Sequence, residues 1–128
     1  MHRKEIIVCA AAPAALGPYS QAVRAGGFVF VSGQVPVDPG SGEMATGGIG
    51  KQTERCLTSL RAILDEAGSG LDKVVKITVF MTDLGRFAEM NAVFEGFFPQ
   101  EPPVRTTVQV AALPRGVGIE IDAIALTG

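Results

Sequence analysis

The run Val74-Val75-Lys76-Ile77-Thr78-Val79-Phe80-Met81 constrains the fold more than any other stretch of the chain. It is rich in β-branched residues and nearly apolar throughout, the pattern of a strand covered on both faces and central in a sheet. Helix patterns flank it on both sides. Upstream, Ile49, Cys56, Leu57, Leu60, Ile63, Leu64 and Ala67 recur at three- and four-residue spacing and close at Gly68, which predicts an amphipathic helix from about Ile49 to Ala67. Downstream, Thr82 or Asp83 caps a second helix whose stripe is Leu84, Phe87, Met90, Val93 or Phe94, and Phe97, stopping before Pro99.

Strand signals occupy the rest. Ala22-Val23-Arg24-Ala25, Gly26-Gly27 and Phe28-Val29-Phe30-Val31-Ser32 read as a hairpin around a two-residue glycine turn, because both glycines tolerate positive φ. Ile6, Ile7 and Val8 suit a first strand. A shorter strand should include Val35 to Val37, with Asp38-Pro39-Gly40-Ser41-Gly42 turning toward Glu43-Met44-Ala45. Pro102-Pro103 forces an extended entry, after which Val104 to Val110 and Ile119 to Leu126 read as two closing strands joined by Leu113-Pro114-Arg115-Gly116. The order of strands, helix, strand, helix, strands predicts an α+β fold, one mixed sheet with both helices on one face. A length of 128 residues suits a single domain over positions 1–128, with no repeat or linker. The opposite sheet face is left needing a cover. The 47% content of apolar residues agrees with cover by self-association, and a few sheets closing around an axis would supply it.

Charge and residue usage exclude several functions. The net charge is −2 and no Lys/Arg run occurs, so the electrostatic term behind nonspecific phosphate binding is missing and nucleic acid is not an expected ligand. Cys9 and Cys56 are too far apart for a CxxC pair, and no second Cys/His cluster exists, so neither a metal site nor a disulfide framework is expected. Cys56 falls on the apolar stripe of the first helix and reads as a small buried hydrophobe; Cys9 is ambiguous. His2, the sole histidine, lies in the N-terminal tail, away from any catalytic triad. The N-terminus has a superficial signal-peptide look, but its apolar part is short and Glu5 interrupts it. No run is long enough to span a bilayer, and the cytoplasm is the default compartment.

Side chains alternate along strands, so Arg105, Thr107 and Gln109 share one face, while Glu120 and Asp122 share a face of the last strand. If Thr107 stands opposite Glu120 in an antiparallel pair, Arg105 faces Asp122 and the four groups form one patch; a one-residue slip abolishes it. Two readings stay open. The patch is a cross-strand ion pair on a solvated edge, worth at most about 1 kcal/mol. Or it is a site: arginine presents a planar fork to a carboxylate, and a partly desolvated glutamate exchanges protons near neutral pH. Tyr19 after Gly17-Pro18, the strand-ending Ser32-Gly33, and Asn91 in the second helix are ordinary punctuation or helix surface on their own.

Taken together, Gly17-Pro18-Tyr19-Ser20-Gln21-Ala22, Val31-Ser32-Gly33-Gln34, the helix with Thr53, Asn91 before Phe94, Pro103-Val104-Arg105-Thr106-Thr107 and Ile119-Glu120-Ile121-Asp122-Ala123 resemble the RidA family of enamine/imine deaminases along essentially the whole chain. The resemblance implies a chorismate-mutase-like α+β fold and a homotrimer whose three sheets form a central barrel, with sites between subunits. It implies hydrolysis of reactive 2-imino acids, such as 2-aminoacrylate and its ethyl-bearing homologue, to 2-keto acids and ammonia. Arg105 would clamp the substrate carboxylate, Glu120 would activate water, and Tyr19, Ser32, Gly33, Asn91 and Thr107 would line the pocket, with no metal or organic cofactor. Well-known members carry cysteine where this chain has Thr107, which argues against a covalent thiol mechanism here. A noncatalytic trimer that binds small carboxylates, or one that engages other proteins, is the rival reading.

Overall fold

The computed structural model describes residues 3–128, so the expectation for His2 lies outside them. Six strands and two helices follow in chain order: β1 (Glu5–Ile7), β2 (Ala22–Ala25), β3 (Phe28–Gln34), α1 (Ile49–Glu66), β4 (Val74–Met81), α2 (Phe87–Phe97), β5 (Val104–Gln109) and β6 (Ile119–Leu126). Short 3₁₀ turns precede β4, α2 and β6. The expected α+β architecture, a mixed sheet with two helices, is what the chain adopts.

The β2–β3 hairpin forms as its glycines require, with Gly26 at φ 58° and Gly27 at φ 84°. Helix α1 ends in a Schellman arrangement: Gly68 takes φ 77°, its N–H donates to the Asp65 carbonyl, and the Ser69 N–H donates to that of Leu64. Its apolar stripe lies on β3 and β6, with Cys56, Leu57, Leu60, Ile63 and Leu64 fully buried. Each of the larger aliphatic side chains contributes about 1.5–3 kcal/mol by leaving water. Cys9 is buried as well.

The strand order is β1-β2-β3-β6-β4-β5. Three expectations need correction. First, β5 and β6 are not partners. The β4–α2–β5 segment is a crossover, which makes β5 parallel to β4 and leaves it at the sheet edge, while β6 returns antiparallel between β3 and β4. Second, β4 is next to the edge strand rather than central, and it is covered on one face only, with Val75 and Lys76 exposed. Third, Val35 to Val37 adds no strand; β3 runs through Gln34, and one bridge between Val37 and Met44 holds the following excursion. The second helix begins later than expected, at Phe87. Asp83 caps the 3₁₀ turn before it by accepting from the Gly85 N–H, and only Met90 and Phe94 of the stripe are buried within the helix.

Register divides the sheet into two faces. The cross-sheet row Ile7, Ala22, Val31, Ala123, Ile77 points at the helices and is buried, and Arg105 ends it. The neighbouring row Ile6, Val23, Phe30, Ile124, Lys76, Val104 points the other way, where nothing among the described residues covers it. Ile6 is 52% exposed, Phe30 44% and Val104 66%. No helix among the described residues is long and apolar enough to cross a membrane.

Candidate functional site

The residues singled out from sequence fall into two clusters, one on each face of the sheet. The first surrounds Glu120. Between Val31 and Gln34 the β3–β6 register shifts, so Ser32 and Gly33 together stand opposite Asp122, a bulge that re-aims this part of the strand. The Glu120 carboxylate lies directly over Gly33. A methyl group there would overlap Glu120 Oε2 and stand 2.7 Å from its Cδ, so only glycine leaves this space. Glu120 is half-buried and makes no ion pair among the described residues. Burial raises its pKa above the ordinary value of 4.5, and the Asp122 charge on the same face raises it further.

A cavity of about 400 Å³ opens beside this carboxylate. Tyr19, Ser32, Gly33, Gln34 and Arg115 line it together with apolar side chains including Leu16, Val35 and Val37. The Gly17-Pro18 turn folds Tyr19 back, with the Tyr19 N–H donating to the Gly17 carbonyl at 2.8 Å. The Ser32 hydroxyl donates to the Ser20 carbonyl at 2.6 Å and the Ser32 N–H donates to the Gln21 carbonyl, so the bulge is tied to the preceding loop. Gln21 fastens the other wall. Its buried amide accepts from the Cys9 N–H at 2.7 Å and donates to the carbonyls of Cys9, Ala12 and Pro13, satisfying a loop that has no regular structure of its own.

The second cluster surrounds Arg105. Its guanidinium packs over the rings of Phe94 at 4.7 Å and Phe87 at 5.4 Å, and Nη1 donates to Asn91 Oδ1 at 2.8 Å. No carboxylate pairs with it among the described residues. Aromatic faces and one amide thus fix an arginine whose remaining N–H groups are free for a planar anion. Thr107, half-buried, follows two residues along the same strand face.

The expected single patch of Arg105, Thr107, Glu120 and Asp122 does not form within the chain. Thr107 and Ile121 both stand opposite Val79, so Thr107 shares its face with Ile121, whereas Glu120 pairs with Phe80 on the opposite face. The inserted β4 register sets this parity. Asn91, equivocal in the sequence, is brought to Arg105. Gln21, Phe87 and Arg115 join the two clusters without being expected there from the sequence. The spacing Phe87, Asn91, Phe94 is that of one helix face and was the available signal for the Arg105 cradle. Nothing in the sequence marked Gln21 as the fastener of the loop over residues 9–13. The described residues contain no cluster of three or more potential metal ligands.

The family model described as endoribonuclease L-PSP matches residues 9–127. A RutC family protein of Pyrococcus abyssi is 48% identical over 122 residues, covering 95% of this chain and 96% of that one. A 2-iminobutanoate/2-iminopropanoate deaminase of Bos taurus is 43% identical over 125 residues, covering 98% of this chain and 91% of that one. The crystal structure of RidA from the Antarctic bacterium Psychrobacter superposes with a TM-score of 0.92 at 43% identity, covering 95% of this chain and 98% of that one.

Proposed function

Because this chain belongs to the RidA family, we propose that it is an imine deaminase that hydrolyses small 2-imino acids such as 2-iminobutanoate and 2-iminopropanoate to 2-keto acids and ammonia. The observation that carries the proposal is a pair of unspent charges. Among the described residues, Arg105 is oriented by Asn91 and two rings with no carboxylate paired to it, and Glu120 is half-buried over Gly33 without an ion pair. Since the two lie on opposite faces of one sheet, the complete site takes Arg105, Asn91 and Thr107 from one subunit and Tyr19, Ser32, Gly33 and Glu120 from another. A homotrimer that joins its uncovered sheet faces into a barrel supplies that arrangement, because the row through Ile6, Phe30 and Val104 is apolar and exposed in the isolated chain.

In this site Arg105 binds the substrate carboxylate through paired N–H donors and fixes the imine carbon near Glu120. The ionised Glu120 takes a proton from water as the new C–O bond forms, and the C=N π pair moves to nitrogen, which is protonated. The carbinolamine nitrogen then takes a second proton as the hydroxyl proton is lost, the C–N bond breaks with its pair going to nitrogen, and ammonia leaves with the keto acid. One water is consumed. A raised pKa suits Glu120 to this exchange, since a stronger base takes the proton more readily and returns it near neutral pH. No organic cofactor is needed, because the imine is already electrophilic, and Thr107 leaves hydrolysis to water rather than to a thiol.

The test is decay of an imine made in situ by a threonine dehydratase, followed with wild type, Arg105→Ala, Glu120→Gln and a refolded mixture of the two variants. Wild type should hasten keto-acid release and each variant alone should not. In a random trimer a site shared between neighbours is intact in roughly a quarter of cases, so the mixture should recover roughly that fraction of activity. Both variants active refutes the assigned chemistry; an inactive mixture refutes the shared site. Keto-acid binding without turnover by wild type would place the chain with noncatalytic carboxylate binders.

A further inference from the structure

We propose that Arg115 forms a second anion subsite in the Glu120 cavity, fitting the site to imino acids whose side chain carries its own carboxylate. The inference rests on the reading of Arg105 as receptor for the carboxylate next to the imine carbon. It adds a receptor for the far end of the substrate.

Among the described residues of this chain, Arg115 is the only cation lining the cavity. Its charge is not neutralised among the described residues: Nη1 and Nη2 both donate to the Gly42 carbonyl, each at 3.2 Å, and no carboxylate lies in ion-pair range. A guanidinium has five N–H donors, so most of the fork stays open to a planar anion.

The position is built on both sides. Arg115 adopts φ 59° and the next residue, Gly116, φ 71°, a left-handed pair that residues with a Cβ seldom enter. Its acceptor belongs to an ordered excursion in which Asp38 accepts from the Ser41 N–H, the Gly42 N–H donates to the Asp38 carbonyl, and the Asp38 N–H donates to that of Glu43. Arg115 is exposed, and the tight turn and its bonds to the Gly42 carbonyl place its guanidinium at the cavity wall.

Arg115 and Glu120 line the same cavity without forming an ion pair, and Leu16, Val35 and Val37 supply apolar wall. An imine carbon placed at Glu120 leaves its side chain in a cavity that offers both apolar wall and an unneutralised guanidinium. A short methylene chain ending in carboxylate uses both; a bare methyl or ethyl group leaves Arg115 unused.

The experiment compares binding of 2-oxoglutarate and 2-oxobutanoate by isothermal titration calorimetry, with turnover of the two corresponding imines measured in parallel. The proteins are wild type, Arg115→Asn, Arg115→Lys and Arg105→Ala. Asparagine removes the charge while tolerating the left-handed backbone, and lysine keeps the charge without the fork. Arg115→Asn should lower the preference for the dicarboxylate over the monocarboxylate about tenfold or more, as loss of a charge-assisted contact does, and Arg115→Lys should restore part of it. An unchanged preference overturns the subsite even if both ligands bind. If Arg105→Ala leaves 2-oxobutanoate binding intact, the reading of the site itself fails, and that outcome is separate from the preference measured at Arg115.

Discussion

Replacing Gly33 by alanine tests whether Glu120 works from the position in which it is found. The added Cβ would stand 2.7 Å from Glu120 Cδ and overlap Oε2. Carbon atoms settle at about 3.5–4.0 Å, so the carboxyl group must retreat by roughly 0.8 Å or more. Gly33 is outside the left-handed region, so alanine can take its backbone angles, and the obstacle is the end of a flexible side chain, which can turn aside. Narrowing of the unfolded ensemble by alanine contributes about 0.4–1 kcal/mol of stability and offsets the crowding. Folding should therefore change little. Catalysis should suffer more, because displacing a reacting group by about 1 Å costs on the order of 10²-fold. The assay is kcat/KM for imine decay beside the thermal unfolding midpoint, with Glu120→Gln and the double variant as controls. The double variant should be no slower than Glu120→Gln alone, since both changes act on one carboxylate. Wild-type turnover by Gly33→Ala, or additive losses in the double variant, would refute the placement of the proton-handling group over the bulge.

Two further outcomes follow from the same site. The folded-state pKa of Glu120 lies above its ordinary value, so its contribution to folding is favourable only while it is protonated and is lost as pH rises through the raised pKa. Glu120→Gln should accordingly raise the unfolding midpoint at about pH 8 while the difference disappears near about pH 4, and the acid limb of wild-type activity should lie above 4.5; a pH-independent difference refutes this. Gln21→Leu strands the Cys9 N–H and three carbonyls, and should cost about 2–4 kcal/mol in urea unfolding; a loss below about 1 kcal/mol means the loop carries no strain when released.

The elements with strong local signals were legible in the sequence. The glycine pair between two β-branched runs fixed the β2–β3 hairpin, and the spacing from Ile49 to Ala67 located α1 within a residue of its end. Pairing was less accessible, because strand order depends on the hand of a crossover rather than on the composition of the strands it joins. Reading Val104 to Val110 and Ile119 to Leu126 as neighbours set Arg105 opposite Asp122 and in one patch with Glu120, where β4 in fact separates the two strands and the sheet holds Arg105 and Glu120 on opposite faces. The candidate site residues rest on motif resemblance, which does not depend on register. Asn91 became legible only once α2 placed it against Arg105. Arg115 had no signal at all, since its setting depends on Gly42, far away in the chain.

The location of β6 also bears on how the chain can be made. It follows the other five described strands in the chain, yet it lies between β3 and β4, and Phe28 pairs with Leu126. While a ribosome is still extending the chain, the β1–β2–β3 portion and the β4–β5 portion have no hydrogen-bonded strand between them, and α1 has no β6 surface to rest on. Closure waits for residues 119–126, which makes the contact order high and the folding step late. A nascent chain of this topology carries its unpaired β3 and β4 edges until residues 119–126 have emerged, and loss of those residues removes the strand on which both halves depend.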